Sequence, residues 1–327
     1  MLMRRVQKIL CNGILACVGL TIYFHTFVSS DCSGRITFGG CEVPVTDAPW
    51  TVGMVSAKQR AIERPFCSGT IIEANWVLTA AHCTRKFLEN PSKIVMIAGA
   101  DHKTDFKNLT LVQRRNALKI HQHPDYVDGD GSSAHDTSLV YVKEFIFTPR
   151  VMPMKLWDEK WPGEDVLMKC EAFGWGLVAN RYDQGHVVYT NTLRKTVIRA
   201  LHGFCPCLYR RSLQIQLICS HPSSEGGICS GDSGGPLICN KKLAGVAFAA
   251  VAGDCRVFVG GPKLPCNSPE TMNLWMYVCP VLDFLKLSNV TSAPEKPENC
   301  RSNRPSSTLE SFIFWVLMLC SLSESWI

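Results

Sequence analysis

Charge of either sign is scarce in this sequence. Only 19% of its 327 residues are Asp, Glu, Lys or Arg, and 34 basic against 28 acidic side chains leave a formal charge of +6. The basic residues fall in short clusters, TRK near residue 85, QRR at 113–115 and YRR at 209–211, with no nucleic-acid-binding motif beside them. They read as solvated faces, so neither DNA nor RNA is an expected partner. Tight repeated Cys-x-x-Cys pairs are also missing, and Cys205-Pro206-Cys207 alone is no zinc framework, so no metal and no cofactor is expected. Long apolar runs are lacking in the body of the chain. Those present (WTVGMV, FCSGTII, WVLTAA, KIVMIAG, TSLVYV, VLMKCEAFGW, PLIC, KLAGVAFAAV, LWMYVC) are interrupted by Gly, Pro, Asn and Asp and rich in Val, Ile and aromatics. This pattern excludes a helical core and predicts many short strands joined by turns, in closed or nearly closed antiparallel sheets.

Cysteine, in contrast, is plentiful. Of 17 cysteines, 14 lie between Cys32 and Cys300, room for seven disulfides and a sign of an oxidising compartment. The ends agree with that. A basic MLMRRVQK followed by the apolar ILCNGILACVGLTIYF reads as a signal peptide over residues 1–30, cleaved after Ser30, the alternative being a retained signal-anchor helix over 9–28. Near residue 278 the pattern changes to one apolar helix face, Val281, Leu282, Leu285 and Leu287. A Ser-, Pro-, Asn- and Glu-rich stretch over 287–308 reads as a linker, and 309–327 as a hydrophobic tail. The tail's apolar core, Phe312–Cys320, is shorter than the roughly 20 residues of a membrane-spanning helix. A polar spacer before a terminal apolar stretch has the form of a glycolipid-anchor signal, with Ser302, Asn303, Ser306 or Ser307 as the attachment site. The expected location is therefore secreted or, with membrane association through the tail, anchored at the cell surface. Sequons at Asn108 and Asn289 are candidate glycosylation sites.

The chemistry centres on CSGDSGGPLIC, residues 229–239. A serine hydroxyl is a weak nucleophile unless a base and an orienting acid accompany it. The segment NWVLTAAHCT offers His82 beyond an apolar strand, and AHDTSLVYV offers Asp136 at the start of another.

TAAHC, HDTSLV and CSGDSGGPLIC in that order resemble the secreted serine endopeptidases of the chymotrypsin and trypsin type, over about residues 35 to 286. The resemblance implies an all-β fold of two perpendicular six-stranded antiparallel barrels with a C-terminal helix and the site at their junction. It makes Ser233 the nucleophile, His82 the general base and then acid, Asp136 the orienter, and the N–H groups of Gly231 and Ser233 the oxyanion hole. It implies a short propeptide, 31–35, and a protease domain, 36–286, made as a zymogen. Cutting after Arg35, by a trypsin-like activating protease, would free the Ile36 ammonium to pair with Asp232. Here GRITFGG has one residue more than the family segment, since both Thr37 and Phe38 precede Gly39. The implied disulfides are Cys67–Cys83, Cys170–Cys239, Cys229–Cys255 and either Cys205 or Cys207 with Cys219. Cys32, Cys41, Cys266, Cys279 and Cys300 are unassigned.

The specificity pocket implied by the resemblance comprises Gly227, Ile228, Phe248, Ala250 and Asn273. Gly227 stands where trypsin-like enzymes carry an aspartate, so a Lys or Arg side chain would find no counter-charge, and an apolar or small P1 residue is expected. FAA at 248–250 replaces the family's Ser-Trp-Gly, and Phe248 cannot bond to Asp136 through its side chain as that serine does. Asn273 replaces a wall glycine, and a cysteine-bearing insertion, VFVGGPKLPCNSPET, follows Cys255. The expected partners are protein or peptide substrates and a protein protease inhibitor. The altered activation segment and pocket leave a second reading, a catalytically weak or inactive homologue that acts as a binding or regulatory protein.

Overall fold

The computed structural model describes residues 40–57, 64–127, 134–181, 186–203, 205, 211–222, 224, 226–252 and 271–300. Strands dominate. After the two-residue β1 (Cys41–Glu42) come β2 (Thr51–Ser56), β3 (Cys67–Glu73), β4 (Trp76–Thr79), β5 (Ile94–Ala98), β6 (Gln113–Gln122) and β7 (Ser138–Val142), with a one-turn helix α1 (Ala81–Thr84) after β4. These six close into an antiparallel barrel in the order β2-β3-β4-β7-β6-β5. Its core is built from the short apolar runs of the sequence: Val52, Met54, Ile71, Val77, Leu78, Ile94, Met96, Ile97, Leu139 and Val140 are buried.

A second set follows: β8 (Met168–Gly174), the hairpin β9 (Leu177–Arg181) and β10 (His186–Tyr189), β11 (Arg194–His202), the turn α2 (Arg211–Gln214), β12 (Leu217–Ser220), β13 (Pro236–Cys239), β14 (Lys242–Ala252) and β15 (Thr271–Tyr277). Six of these strands run β11-β12-β15-β14-β13-β8, and the pairing of β8 with β11 closes the second barrel, with β1 added beside β11. Alternation within β11 buries Thr196, Ile198 and Ala200 and turns their neighbours outward, the period of a strand with one face in a core. The expected pair of six-stranded antiparallel barrels is therefore present, followed by a short helix, α3 (Leu282–Leu287).

The apolar face expected at the C-terminal helix is corrected in one residue. Val281, Leu282 and Leu285 are buried, but Leu287 is 85% exposed and Phe284 takes its place in the core. Two residues beyond Leu285 is about 200° around an α-helix, which carries Leu287 to the far side. The stretch expected to be a polar linker from 287 also differs over its first part. Val290 and Ala293 are buried, Glu73 accepts hydrogen bonds from the Thr291 hydroxyl (3.0 Å) and the Ser292 N–H, and Cys300 is bridged to Cys279. Polar composition hid these anchors, because two small apolar residues and one disulfide suffice to tie a short segment down.

Further bridges join Cys67–Cys83, Cys170–Cys239 and Cys205–Cys219, which resolves the choice at Cys219 in favour of Cys205. Cys41 and Cys229 are also disulfide-bonded, and Cys255, the partner expected for Cys229, lies outside the described residues. The signal peptide, Arg35, Ile36, Thr37, Phe38, Cys207, most of the insertion after Cys255 and the tail lie outside them as well. Among the described residues no helix is long and apolar enough to cross a membrane.

Candidate active site

β4 ends at Thr79, and the chain turns through Ala80 into α1, which carries His82. Cys83, next to it, is tied to Cys67 at the start of β3, so the disulfide fixes this turn to the barrel. Asp136 lies two residues before β7, the strand that pairs with β4, and is fully buried. Its carboxylate accepts two hydrogen bonds from His82, one from the backbone N–H to Oδ1 (2.7 Å) and one from ring Nδ1 to Oδ2 (2.6 Å). A carboxylate that accepts from Nδ1–H fixes the tautomer, so the other ring nitrogen, Nε2, is left with its lone pair. The His82 side chain is 32% exposed, enough to be reached from solvent.

Ser233 comes from the turn before β13 and meets the first barrel through Ser68 on β3. The Ser68 N–H donates to Ser233 O (2.8 Å) and the Ser68 hydroxyl to Gly231 O (2.9 Å). His82 Nε2 lies 3.6 Å from Cys83 Sγ, and Cys83 Sγ lies 3.6 Å from Ser233 O, but no hydrogen bond joins Nε2 to the serine hydroxyl. Such bonds are commonly long without substrate and shorten when it binds.

The peptide planes around Ser233 are set by their carbonyls. Ser230 O accepts from the Leu177 N–H (3.0 Å) and Asp232 O from the Gly235 N–H (2.8 Å). In a trans peptide the N–H points opposite the C=O, so the N–H groups of Gly231 and Ser233 are fixed on the other side, where neither donates to a group among the described residues. Gly231 adopts φ +101°, a left-handed conformation strained for any other residue, and a Cβ there would lie 3.1 Å from Gly176 Cα. Gly234, at φ +81°, passes so close to β4 that a Cβ would lie 2.1 Å from Thr79 Oγ1.

The trypsin family model matches residues 37–283. The chain belongs to the trypsin family of serine endopeptidases. It is 27% identical to kallikrein-9 of Homo sapiens over 254 residues, 76% of this chain and 88% of that one. Among solved structures it resembles neuropsin, a serine protease expressed in the limbic system of mouse brain, at 23% identity and a TM-score of 0.60 over 76% of this chain and 98% of that one. It also resembles human heparin binding protein, at 19% identity and a TM-score of 0.58 over 80% and 99% of the two chains. These two structures speak to the fold.

In this trypsin-family site two of the candidate pocket residues, Gly227 and Ile228, meet the amide of a third, Asn273. Asn273 on β15 is 2% exposed and pairs across the sheet with Ala250 on β14. Its Oδ1 accepts from the Ile228 N–H (3.0 Å), its backbone N–H donates to Ser220 Oγ (2.9 Å), and its Nδ2 lies 3.4 Å from the same oxygen. A Cβ on Gly227 would lie 2.4 Å from Nδ2 and 2.7 Å from Oδ1, so the amide fills the space beside Gly227. Phe248 is buried at a register shift between Ala247 and Ala249, while Ala250 is exposed.

Asp232 turns away from Ser233 into a cradle of two glycines. Its Oδ1 accepts from the Gly176 N–H (2.8 Å) and its Oδ2 from the Cys229 N–H (3.0 Å). A Cβ on Gly174 or Gly176 would lie within 2.3 Å of a carboxylate oxygen. Burial drives the carboxyl up from its ordinary 3.8 to about 6, opposed by these two N–H groups and by the charge of Lys103. Lys103 is a residue that sequence reasoning missed. A lysine in GADHKTDF looks like a solvated loop residue, yet it is 2% exposed. Ser68 and Ser220, which hold the loop and the pocket amide, were missed for the same reason: a serine's partners belong to the tertiary structure.

Cys67, His82 and Cys83 bring three atoms of metal-ligand type within 4.8 Å of one another, but both sulfurs belong to one disulfide. The thiolate is the metal ligand, so this cluster does not suit a metal.

Proposed function

We propose that this trypsin-family protein hydrolyses peptide bonds through an acyl-enzyme, with Ser233 as nucleophile, and that it prefers small uncharged P1 residues. The observation that carries the reading is the double hydrogen bond from His82 to Asp136. It leaves Nε2 as the base nearest the serine turn.

In this reading Nε2 takes the Ser233 proton as Oγ bonds to the substrate carbonyl carbon. The negative charge that develops on the carbonyl oxygen meets the N–H groups of Gly231 and Ser233, donors already fixed before substrate arrives. One such donor is worth roughly 3–4 kcal/mol to the transition state. The imidazolium, steadied by Asp136, returns its proton to the leaving amine as the C–N bond breaks. Water then repeats the sequence on the ester, giving up a proton to His82 and releasing the acid and free Ser233.

The P1 preference follows from Asn273. Gly227 offers no counter-charge to a Lys or Arg side chain, and the amide beside it shortens the pocket. Cleavage after Arg35 by a trypsin-like enzyme would add the Ile36 ammonium to the surroundings of Asp232. Protein substrates and a protein inhibitor are the natural partners. The disulfides of the body suit an oxidising compartment, either secreted or at the cell surface.

The test is hydrolysis of a positional library of peptide amides by the protein cut at Arg35, beside Ser233→Ala. Turnover lost in the variant, with Ala, Gly or Ser best at P1, is expected. No turnover and no labelling by an organophosphonate, with a new Ile36 terminus confirmed, would turn the reading to a binding protein on a protease scaffold.

A further inference from the structure

Ser68 follows Cys67 on β3, is fully buried, and has every polar atom engaged. Its hydroxyl donates to Gly231 O (2.9 Å), its N–H donates to Ser233 O (2.8 Å), and its carbonyl accepts from the Thr79 hydroxyl on β4 (2.8 Å). The serine is thus held in the first barrel by its own strand and by β4, and it turns both of its donors to the loop of the nucleophile. Beside it, the Cys67–Cys83 disulfide leads to the residue after His82. One dipeptide, Cys67-Ser68, therefore links the turn of the base to the loop of the nucleophile.

Four successive carbonyls locate that loop. Ser230 O accepts from the Leu177 N–H, Asp232 O from the Gly235 N–H, and Gly231 O and Ser233 O from Ser68. The bonds from Leu177 and Gly235 stay on the second-barrel side, so they shape the loop without placing it relative to His82. Those from Ser68 cross the junction. Gly231 depends on such support more than another residue would, because it has no side chain to pack and its φ of +101° is one that side chains disfavour. Its Cα is located by the peptide planes on either side, one held through Ser230 O, the other through Gly231 O and the Asp232 N–H, which donates to Cys229 O (2.9 Å). Among the bonds to the four carbonyls, the one to Gly231 O alone comes from a side chain, so it can be removed without altering the backbone.

We propose that Ser68 is a positioning residue for peptide-bond hydrolysis, whose hydroxyl seats the oxyanion donor of Gly231, and Ser233 with it, in register with His82 across the barrel junction. This rests on the assignment of Ser233 as nucleophile. Being fully buried, the hydroxyl does not reach substrate; it acts through Gly231. Its effect therefore falls on the transition state, where charge develops on the carbonyl oxygen, and little on the binding of substrate in its ground state.

The experiment compares the parent cut at Arg35 with Ser68→Ala, Ser68→Gly and Ser68→Thr, with active sites counted by organophosphonate labelling so that unfolded protein is not read as lost kcat. Each is assayed on one peptide amide with Ala at P1 and for inhibition by the matching peptide boronic acid, whose tetrahedral adduct places an oxygen at the oxyanion donors. Ala and Gly, which lack the hydroxyl, are expected to lower kcat and weaken the boronic acid by at least about tenfold, with KM within about threefold of the parent. Ser68→Thr keeps the hydroxyl and is expected to stay within about threefold in all three quantities. The order thus follows the hydroxyl, whereas a packing role would order the variants by volume and leave the ratio of boronic acid to substrate unmoved. Gly and Thr decide the matter if Ala fails to fold. Smaller losses in Ala and Gly, a Thr variant as poor as Ala, a change in KM alone, or no countable sites in either hydroxyl-less variant overturns the positioning role. A parent that neither turns over nor labels overturns the nucleophile assignment, and this inference with it.

Discussion

Replacing Asn273 by glycine separates the two things its amide does. The side chain occupies the space beside Gly227, where a new Cβ would come within 2.4 Å of it, and it holds the Ile228 N–H at 3.0 Å. Removing it makes room for a larger P1 side chain. Burying a Leu or Phe side chain there is worth about 1.5–3 kcal/mol. If that gain is expressed in the transition state, it amounts to roughly 10- to 150-fold in kcat/KM. The cost falls on the fold: Ile228 is buried, and leaving its N–H without a partner costs about 1–3 kcal/mol. The assay is kcat/KM for two matched peptide amides, Ala and Phe at P1, on the cut parent and on Asn273→Gly, with thermal melts in parallel. The ratio of Phe to Ala should rise by at least about tenfold while the melting temperature drops by several degrees. An unchanged ratio in a folded variant would refute the claim that this amide sets the depth of the pocket.

Three more outcomes are expected. Asp136→Asn leaves the carboxylate site filled but reverses the bond to Nδ1, so kcat should fall by about 10⁴-fold in steady-state kinetics with little change in KM; a fall below tenfold would remove Asp136 from the mechanism. Gly234→Ala must place a Cβ 2.1 Å from Thr79 Oγ1 at φ +81°, and chemical denaturation should register a loss of roughly 2–4 kcal/mol. The third concerns pH. Because the Asp232 carboxyl titrates near 6 in the folded protein against 3.8 ordinarily, the folded state binds the extra proton between those values. Its contribution is therefore most favourable below about 4 and is lost as pH rises to about 6. Relative to Asp232→Asn, the parent should lose up to about 3 kcal/mol across that window; parallel stability curves for the two would contradict the buried carboxylate.

The two barrels were legible because the strands announce themselves: WVLT, IVMIA and PLIC are short, apolar and bounded by turn residues, and each is a strand buried throughout. The candidate triad was legible because a nucleophile, a base and an acid each sit in a distinctive local setting. Less could be read where a residue's partner lies far along the chain. Cys300 found Cys279 in a stretch that looked like a linker, and Lys103, in a segment that looked like a solvated loop, is 2% exposed with its N–H bonded to Asn191 O; Leu287 yielded its place to Phe284 through helix periodicity alone.

The sequence by itself determined the class of chemistry and of fold, because residue type and spacing decide which segments can be strands and which side chains can attack, accept a proton or orient. Tertiary structure alone decided what those residues meet. Whether Asn273 lies against Gly227, whether the Gly176 N–H meets the Asp232 carboxylate, and whether Ser68 holds the loop from the other barrel depend on contacts between residues tens to well over a hundred positions apart. Burial converts such contacts into energy, since a charge or an N–H taken out of water is governed by the few groups packed around it.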